Sequence, residues 1–302
     1  MAFYIGIDGG GTGSRLAAMT PEGEVFFTAE SGSTNLASNE YHIVAMNITE
    51  LAMTLKPQDC LGVCIGSAGA STAENTALLK KIFLDMGYKH CPVRIMNDAE
   101  LVLHGETREA PGAILIAGTG SVGYAVSPQR EVIRVGGWGH LIDDGGSGYR
   151  MAMDGIKAAM GSFDGTGAKT TLEATVAEFF NLTDLSQITA HIYGENFNKG
   201  AIAKLAVKVS QAASAGDAVG IKIQNDAADA LISIAKALIT RAGLVNHKLI
   251  VSGSLLKKNA YIAKVFNEAI LGAYPEMQIG HSTVTPEVAG AWLAKDFAQG
   301  IF

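Results

Sequence analysis

The segment Ile5-Gly6-Ile7-Asp8-Gly9-Gly10-Gly11-Thr12-Gly13-Ser14 predicts a strand that ends in an acid and enters a glycine-rich turn. Glycine has no Cβ and tolerates positive φ, so this turn can point its N–H groups at an anion. It is not a P-loop, which needs a lysine, nor a dinucleotide turn, whose third glycine would stand at Leu16. Residues 15–19 and 24–28 then predict two strands around a proline turn. We therefore expect a hairpin that holds a phosphate.

A second copy of this hairpin follows along the chain. Gly118-Thr119-Gly120-Ser121 repeats Gly11-Thr12-Gly13-Ser14 at an offset of 107 residues (118 − 11 = 107). At the same offset, a proline, a glutamate and a valine of the first copy also recur. The second copy again follows an apolar segment, residues 113–117. The repeat predicts a duplication, with two similar sheets that each present a phosphate-binding hairpin.

Composition limits the classes of protein and partner. The 302 residues suit two domains, and 48% hydrophobic residues suffice for a large core. The net charge of −6 and the lack of a basic stripe argue against a nucleic-acid partner. The N-terminal residues predict no signal peptide, and no apolar segment predicts a membrane span. Cys60, Cys64 and Cys91 form no Cys-x-x-Cys pair and indicate core residues of a cytoplasmic protein.

Two polar residues follow predicted strands. Asn35 lies in a polar loop, residues 31–36, which is either a plain connection or a donor and acceptor for a substrate hydroxyl. Asp98 follows the strand at residues 93–96, and ligands of open α/β sheets bind beyond the carboxyl ends of strands. Asp98 is thus a candidate general base, or the N-cap of a helix at residues 99–105, and the two roles are compatible.

Residues 136–148 combine many glycines with Trp138, His140, Asp143 and Asp144. An indole ring can cover the apolar face of a sugar while carboxylates bind its hydroxyls. We interpret this segment as a sugar site rather than a flexible connector, with His140 in a supporting hydrogen bond. Farther on, Gly253-Ser254 either contacts the base or ribose of a nucleotide or simply starts a helix.

Apolar periodicity and capping residues predict the remaining helices. The final helix should begin at Thr285-Pro286, as N-cap and first helical residue. The other predicted helices cover residues 40–55, 71–86, 149–160, 171–180, 186–193, 201–215, 219–243 and a segment from Gly253 to about residue 271.

The two hairpins, Asn97-Asp98 and Gly136-Gly137-Trp138-Gly139-His140 together resemble the N-acetylglucosamine kinase branch of the BadF/BadG/BcrA/BcrD ATPase family. The resemblance implies an α/β protein with the actin-like ATPase fold. Its two ribonuclease-H-like domains would have mixed sheets, with ATP in the cleft between them. The domains would comprise residues 1–112 with 286–302, and residues 113–285. The implied reaction transfers the γ-phosphate of ATP to the 6-hydroxyl of an amino sugar, N-acetylglucosamine, and a homodimer is expected.

The resemblance also implies roles for individual residues. Asp98 would be the base and a sugar ligand, and Asp8 would hold Mg²⁺ through water. The sugar would contact Asn35, Gly137, Trp138 and Asp144. The nucleotide would contact Gly10, Gly11, Thr12, Gly118, Thr119, Gly120, Ala213 and Gly253.

One departure from the family pattern concerns the sugar. Family members commonly read Gly-Asp-Glu-Gly-Ser where this chain has Asp143-Asp144-Gly145-Gly146-Ser147. The change affects the choice of amino sugar more than the kinase chemistry, and glucosamine and N-acetylmuramate are alternative acceptors. There are two alternative functions: an ATPase that activates a partner enzyme, and a sugar sensor without turnover. Activators of that kind hold an iron–sulfur cluster on cysteines, and the three cysteines here do not resemble that arrangement.

Overall fold

The computed structural model describes residues 1–10, 13–36, 39–67, 70, 72–107, 110–194 and 197–301. The chain forms two compact units, which we call unit 1 (Met1–Ala110 with Ser282–Phe302) and unit 2 (Pro111–His281). The domain limits expected from the sequence, 112 and 286, stay a prediction.

Each unit contains a mixed sheet, and the two sheets have the same strand order. The order is β3-β2-β1-β4-β5 in unit 1 and β8-β7-β6-β9-β10 in unit 2. In both, the first three strands are antiparallel neighbours and the last two run parallel to the central strand. The strands are β1 (Phe3–Gly9), β2 (Ser14–Met19), β3 (Val25–Ser31), β4 (Cys60–Ser67), β5 (Val93–Met96), β6 (Gly112–Ala117), β7 (Ser121–Val126), β8 (Val132–Gly136), β9 (Lys248–Ser252) and β10 (Gln278–His281).

For the second and third strands of each sheet, the offset between the sheets equals the offset in the sequence. Strands β2 and β7 begin at Ser14 and Ser121 (121 − 14 = 107), and β3 and β8 begin at Val25 and Val132 (132 − 25 = 107). The prediction of two similar sheets is therefore confirmed. Strand β10 had no counterpart in the sequence analysis, because its four residues show no clear alternation of apolar and polar side chains.

The helices are α1 (Tyr41–Ala52), α2 (Ala73–Asp85), α3 (Asp98–Thr107), α4 (Gly148–Phe163), α5 (Leu172–Phe180), α6 (Ile188–Tyr193), α7 (Lys199–Ala203), α8 (Leu205–Ser214), α9 (Ala218–Ala242), α10 (Ser254–Lys258), α11 (Ala260–Ala273) and α12 (Pro286–Ala298). Among the described residues, no helix is both long enough and apolar enough to cross a membrane.

Two predicted helices are interrupted. The helix predicted at residues 201–215 is divided into α7 and α8 at Lys204. The helix predicted from Gly253 to about residue 271 breaks at Asn259, whose side-chain oxygen accepts the N–H of Ile262 at 3.0 Å and caps α11. The prediction of one continuous helix was wrong there because an asparagine favours the cap over the helix interior.

Glycines let α12 lie directly on the sheet of unit 1. A Cβ at Gly6 of β1 would lie 2.0 Å from the carbonyl oxygen of Glu287, and one at Gly105 of α3 would lie 2.2 Å from Cβ of Ala289. Helix α12 thus replaces side-chain packing by backbone contact with β1. This close approach brings the first turn of α12, with Glu287, to the strand that carries Asp8.

Candidate functional site

Two carboxylates lie at the carboxyl edge of the unit 1 sheet. Asp8, near the end of β1, pairs in register with Gly66 of β4, which pairs with Met96 at the end of β5. Asp98 follows two residues later, so β4 alone separates the strands that deliver the two acids. Burial, together with the neighbouring carboxylates of Asp98 and Glu287, raises the pKa of Asp8 to about 6 against an opposing effect of Arg15.

Asp98 is the first residue of α3, and one of its oxygens is committed to the helix. Its Oδ1 accepts the N–H of Ala99 at 2.9 Å, and Oδ1 of Asn97 accepts the same N–H at 3.0 Å. Asn97 therefore shares the capping role expected of Asp98. Apart from the backbone N–H of Asp98 itself, no donor among the described residues reaches Asp98 Oδ2. Burial raises the pKa of Asp98, opposed by the backbone hydrogen bonds of Ala99 and Asp98 itself. The free oxygen can accept a proton.

The Asn35 loop is fastened to the first hairpin through Ser33. Ser33 Oγ donates to the carbonyl of Gly10 at 3.0 Å and accepts the N–H of Asn35 at 3.2 Å. The amide of Asn47 donates to the Ser33 carbonyl at 2.8 Å. Asn35 is half-buried beside Gly10 in consequence. Gly11 and Thr12, which the sequence analysis assigned to the nucleotide, lie outside the described residues.

The second hairpin is held by the start of α4. The carbonyls of Gly118 and Thr119 accept the N–H groups of Gly148 and Tyr149 at 2.8 and 3.2 Å. In the part of the chain that the structure describes, no acceptor takes the N–H groups of Thr119 or Gly120. The N-terminus of α4 therefore holds the hairpin in place, and the N–H groups of Thr119 and Gly120 can donate to a ligand.

Gly253 packs against the same hairpin. Its φ is +91°, and a Cβ there would lie 2.3 Å from the carbonyl oxygen of Ala117. Only glycine fits this contact. Helix α10 begins at the next residue, Ser254, so Gly253 is a helix-start turn that also borders the end of β6.

A cavity of about 680 Å³ lies within unit 2 beside this hairpin. Gly118 and Thr119 form one end, and residues of α8 and α11 line its sides. Lys204 and Lys258 also line the cavity and supply positive charge. Ala213 does not line it: the backbone of Ala213 faces α9, where a Cβ at Gly220 would lie 2.9 Å from its nitrogen.

The loop after β8 exposes its tryptophan. Gly136, Gly137 and Gly139 have φ of +71°, +71° and +93°, a path that other residues rarely follow. Trp138 is 60% exposed, and the guanidinium carbon of Arg134 lies 4.5 Å from its ring centroid. Arg134 also donates to the carbonyls of Gly136 and Gly137. The arginine therefore holds both the backbone and the indole of this loop.

The two adjacent acids of this loop occupy different environments. Asp143 is exposed and accepts the N–H of Gly145, whereas Asp144 is buried and accepts from Nζ of Lys199 at 2.5 Å. Both Asp144 and Lys199 lie next to Gly120, within 3.4–3.5 Å of the position of a Cβ there. Lys199 was missed in the sequence analysis because a single lysine in a polar stretch belongs to no motif.

His140 is embedded in aromatic rings. Its ring stacks on Phe197 at a centroid distance of 5.8 Å and meets the edge of Tyr149 at 5.2 Å. Lys199 Nζ lies 5.6 Å from the Tyr149 ring centroid. The described contacts of His140 are thus aromatic, rather than the hydrogen bond expected from the sequence.

The structure therefore brings the predicted site residues together in two groups. In unit 1, Asp8 and Asp98 share one sheet edge, and Asn35 is fastened to Gly10. In unit 2, the hairpin is bordered by Gly253 on one side and by Asp144 with Lys199 on another. Ala213 stands apart from the cavity that its helix lines.

Solved structures share this fold. A candidate N-acetylglucosamine kinase from Chromobacterium violaceum superposes with a TM-score of 0.75 at 20% identity, over 98% of this chain and 99% of that one. The chain belongs to the BadF/BadG/BcrA/BcrD ATPase family, whose model matches residues 5–294.

Two relatives match nearly the whole chain. The N-acetylmuramic acid/N-acetylglucosamine kinase of Clostridium acetobutylicum is 32% identical over 92% of this chain and 94% of its own length. The N-acetyl-D-glucosamine kinase of Dictyostelium discoideum is 26% identical over 96% of this chain and 97% of its own length.

Proposed function

We propose that this protein is an ATP-dependent kinase that phosphorylates the 6-hydroxyl of N-acetylglucosamine. The observation that carries the proposal is the free Oδ2 of Asp98, half-buried beside Asp8 at the carboxyl edge of the sheet. Membership of an ATPase family supports the use of ATP, and both relatives described above are named as kinases of N-acetylated amino sugars.

Asp98 acts as the general base in this proposal. Its Oδ1 is held by the N–H of Ala99, which fixes the carboxylate and leaves Oδ2 to accept the proton of the sugar hydroxyl. The raised pKa of Asp98 makes the carboxylate a stronger proton acceptor. Phosphoryl transfer itself needs mainly positioning and neutralisation of charge.

Asp8 and Glu287 would hold a Mg²⁺ ion. Glu287 Oε2 is buried and has no hydrogen-bond partner among the described residues, and burial together with the carboxylates of Asp98 and Glu287 raises the pKa of Asp8. No group of three or more acidic, cysteine or histidine side chains in the described residues could hold a metal by itself. Mg²⁺ suits such a site because it retains waters and uses one or two carboxylates together with phosphate oxygens. When bound, it neutralises charge on the transferring phosphoryl group.

Unit 2 would hold the nucleotide. The unpaired N–H groups of Thr119 and Gly120 would bind phosphate oxygens, and the cavity between α8 and α11 would take the rest of the nucleotide. Gly10, Gly11, Thr12, Gly118 and Gly253 keep their predicted roles at the nucleotide. Ala213 would act only through the packing of α8. The location of ATP between two domains stays a prediction.

The sugar would contact Asn35, Asp98, Gly137, Trp138 and Asp144. Trp138 has its ring stacked on Arg134 and 60% of its surface exposed, so it can still cover a sugar face. N-acetylmuramate is the second candidate acceptor, because the Clostridium relative is named for both sugars. Glucosamine is the third. We also propose that the protein is a cytoplasmic homodimer, as the family resemblance and the cysteine usage led us to expect.

The test is ADP release with ATP and Mg²⁺ in the presence of N-acetylglucosamine, N-acetylmuramate, glucosamine, glucose or no sugar. We expect turnover that depends on N-acetylglucosamine and a product phosphorylated at the 6-hydroxyl. A rate of ATP hydrolysis that is the same with and without each sugar would favour an ATPase that acts on a partner protein. Sugar binding without turnover would favour a sensor.

A further inference from the structure

A buried amide faces the cavity of unit 2. Gln224, on α9, is only 5% exposed and lines the cavity. Its Oε1 accepts a hydrogen bond from Asn259 Nδ2 at 2.8 Å. No acceptor within the described residues takes the hydrogens of Gln224 Nε2. One end of this amide is therefore satisfied by the protein, and the other end is presented to the cavity.

A backbone group determines which end of Gln224 faces the cavity. The N–H of Ile262 can only donate, and it donates to Oδ1 of Asn259 at 3.0 Å. The other atom of the Asn259 amide must then be nitrogen, which can only donate. Its partner on Gln224 must accordingly be the oxygen. The orientation of Gln224 thus follows from a chain of hydrogen bonds that starts at the cap of α11, and Nε2 is left as a donor.

A second donor stands beside the first. The Asn259 amide also donates to Ser210 Oγ at 2.9 Å, so the Ser210 hydroxyl is left to donate its own hydrogen. Ser210 lines the cavity, and no acceptor in the described ranges takes that hydrogen. By area the cavity wall is mainly apolar, and Ala206, Val207 and Leu255 contribute to it. Apolar walls with a few directed polar groups are typical of sites for small molecules and cofactors, and a purine base is such a group.

We propose that Gln224 recognises the base of the bound nucleotide by donating a hydrogen bond from Nε2 to an unprotonated ring nitrogen of the purine. Ser210 is the second donor to the base. Asn259 is a positioning residue that fixes the donor end of Gln224. This inference rests on the proposed use of the unit 2 cavity by ATP, and it adds the residues that select the base.

The test measures the Kd of the full-length protein for ATP and for its 1-deaza, 3-deaza and 7-deaza analogues by calorimetry. Each analogue replaces one acceptor nitrogen by a C–H group and changes little else. One neutral hydrogen bond corresponds to about 0.5–1.5 kcal/mol, or roughly a 2–12-fold change in Kd. We expect the wild type to bind one analogue about 2–12-fold more weakly than ATP, and the other two nearly as well as ATP.

Two variants remove the hydrogen-bond donor that Gln224 presents to the cavity. Gln224→Glu replaces the nitrogen by an oxygen. Asn259→Asp still accepts the Ile262 N–H as a good N-cap but can no longer donate, so Gln224 must turn its nitrogen toward the aspartate. In both variants the Kd for ATP should rise by that same factor of about 2–12. The analogue that the wild type binds more weakly than ATP should then bind as tightly as ATP does. Gln211→Glu, on the same cavity wall but outside this chain of hydrogen bonds, should weaken all four nucleotides alike and keep the deficit.

The possible outcomes separate this inference from the proposed function. A deficit for one analogue that vanishes in Gln224→Glu and in Asn259→Asp supports base recognition by Gln224. Equal binding of ATP and all three analogues by the wild type overturns it and leaves the kinase proposal intact. A deficit that survives in both variants assigns the contact to another residue. A wild-type protein that binds none of the four nucleotides overturns both proposals.

Discussion

The two units share one strand order but carry opposite chemistry at their central strands. Asp8 of β1 pairs with Arg15, and the residue that pairs with Val122, 107 positions after Arg15, is the apolar and partly buried Ile116 of β6. Among the described residues, no basic group forms an ion pair with Asp8 or Asp98. The buried acid of unit 2, Asp144, is instead paired with Lys199 at 2.5 Å. Unit 1 therefore keeps uncompensated negative charge, and unit 2 neutralises its own.

This difference shows how two duplicated sheets can keep the same strand order and take on different chemical roles. The strand order and both hairpins persist, because they depend on glycine positions and apolar alternation. The charges diverge, because a carboxylate on a sheet edge needs only a few local changes. Free carboxylates suit a proton acceptor and a cation, whereas free amides suit phosphate oxygens. The comparison predicts that the two units respond differently to the loss of a single group.

The largest effect is expected from Asp98→Asn. The change removes the proton acceptor while the amide oxygen can still accept the N–H of Ala99. We expect kcat to fall by about 10²–10⁴-fold, with little change in the melting temperature. Steady-state kinetics of ADP release and thermal unfolding measure the two quantities.

Asp85→Asn is the matched control for Asp98→Asn. Asp85 is also an acid of unit 1, but it is exposed and paired with Lys81 on α2. An exposed pair of this kind contributes little, so kcat and stability should both remain near wild type. Wild-type turnover in Asp98→Asn would remove that residue from the mechanism.

Asp8 makes the stability of the protein depend on pH. Its pKa is raised from 3.8 to about 6 on folding, so the folded state holds the proton more tightly than the unfolded state. The penalty for ionisation is absent below pH 3.8 and complete above about pH 6. The free energy of unfolding should therefore fall by about 3 kcal/mol as pH rises through this window.

Asp8→Asn isolates this contribution. The variant should lose that part of the pH dependence and be more stable than wild type at pH 7 without metal. Mg²⁺ should stabilise the wild type at pH 7 and much less at pH 5, where it must displace a proton, and should hardly stabilise the variant. Urea unfolding at several pH values, with and without Mg²⁺, measures both effects. Equal Mg²⁺ stabilisation of wild type and variant would contradict the role of Asp8.

The sequence predicted those parts of the molecule that depend on local backbone chemistry. The repeated glycine motif was sufficient for two hairpins in two similar sheets, since a glycine turn between apolar segments has few alternative structures. The position of Asp98 could also be predicted, because it closely follows the short apolar segment that forms β5. The pairing of Asp144 with Lys199 could not be predicted, because 55 residues separate them and no motif joins them. The orientation of Gln224 likewise depends on a cap in a different helix.

Gly253→Ala tests the packing of the unit 2 hairpin. The new Cβ would meet the Ala117 carbonyl at 2.3 Å in a conformation that side chains rarely adopt. Gly216 has a similar φ of +93° but open space around it, so Gly216→Ala reports the backbone strain alone. We expect losses in the free energy of unfolding of about 1 kcal/mol for Gly216→Ala and roughly 2–3 kcal/mol for Gly253→Ala. Equal losses in urea unfolding would show that the contact with β6 contributes nothing.

Lys199→Met converts unit 2 to the condition of unit 1, with a buried acid and no cation. The side chain of Asp144 is 5% exposed and that of Lys199 is 29% exposed, so the pair is only partly screened by water. We expect the loss of roughly 1–2 kcal/mol, because the carboxylate remains buried without its charged donor.

Adding Asp144→Asn should recover much of that loss, since the double variant buries no unpaired charge. A double-mutant cycle by urea unfolding measures the coupling between the two residues. Strong coupling would establish that unit 2 neutralises its acid internally, which unit 1 does not do. If the two losses simply add, Lys199 does not stabilise Asp144, and the contrast between the units reduces to the difference between Asp8 and Ile116.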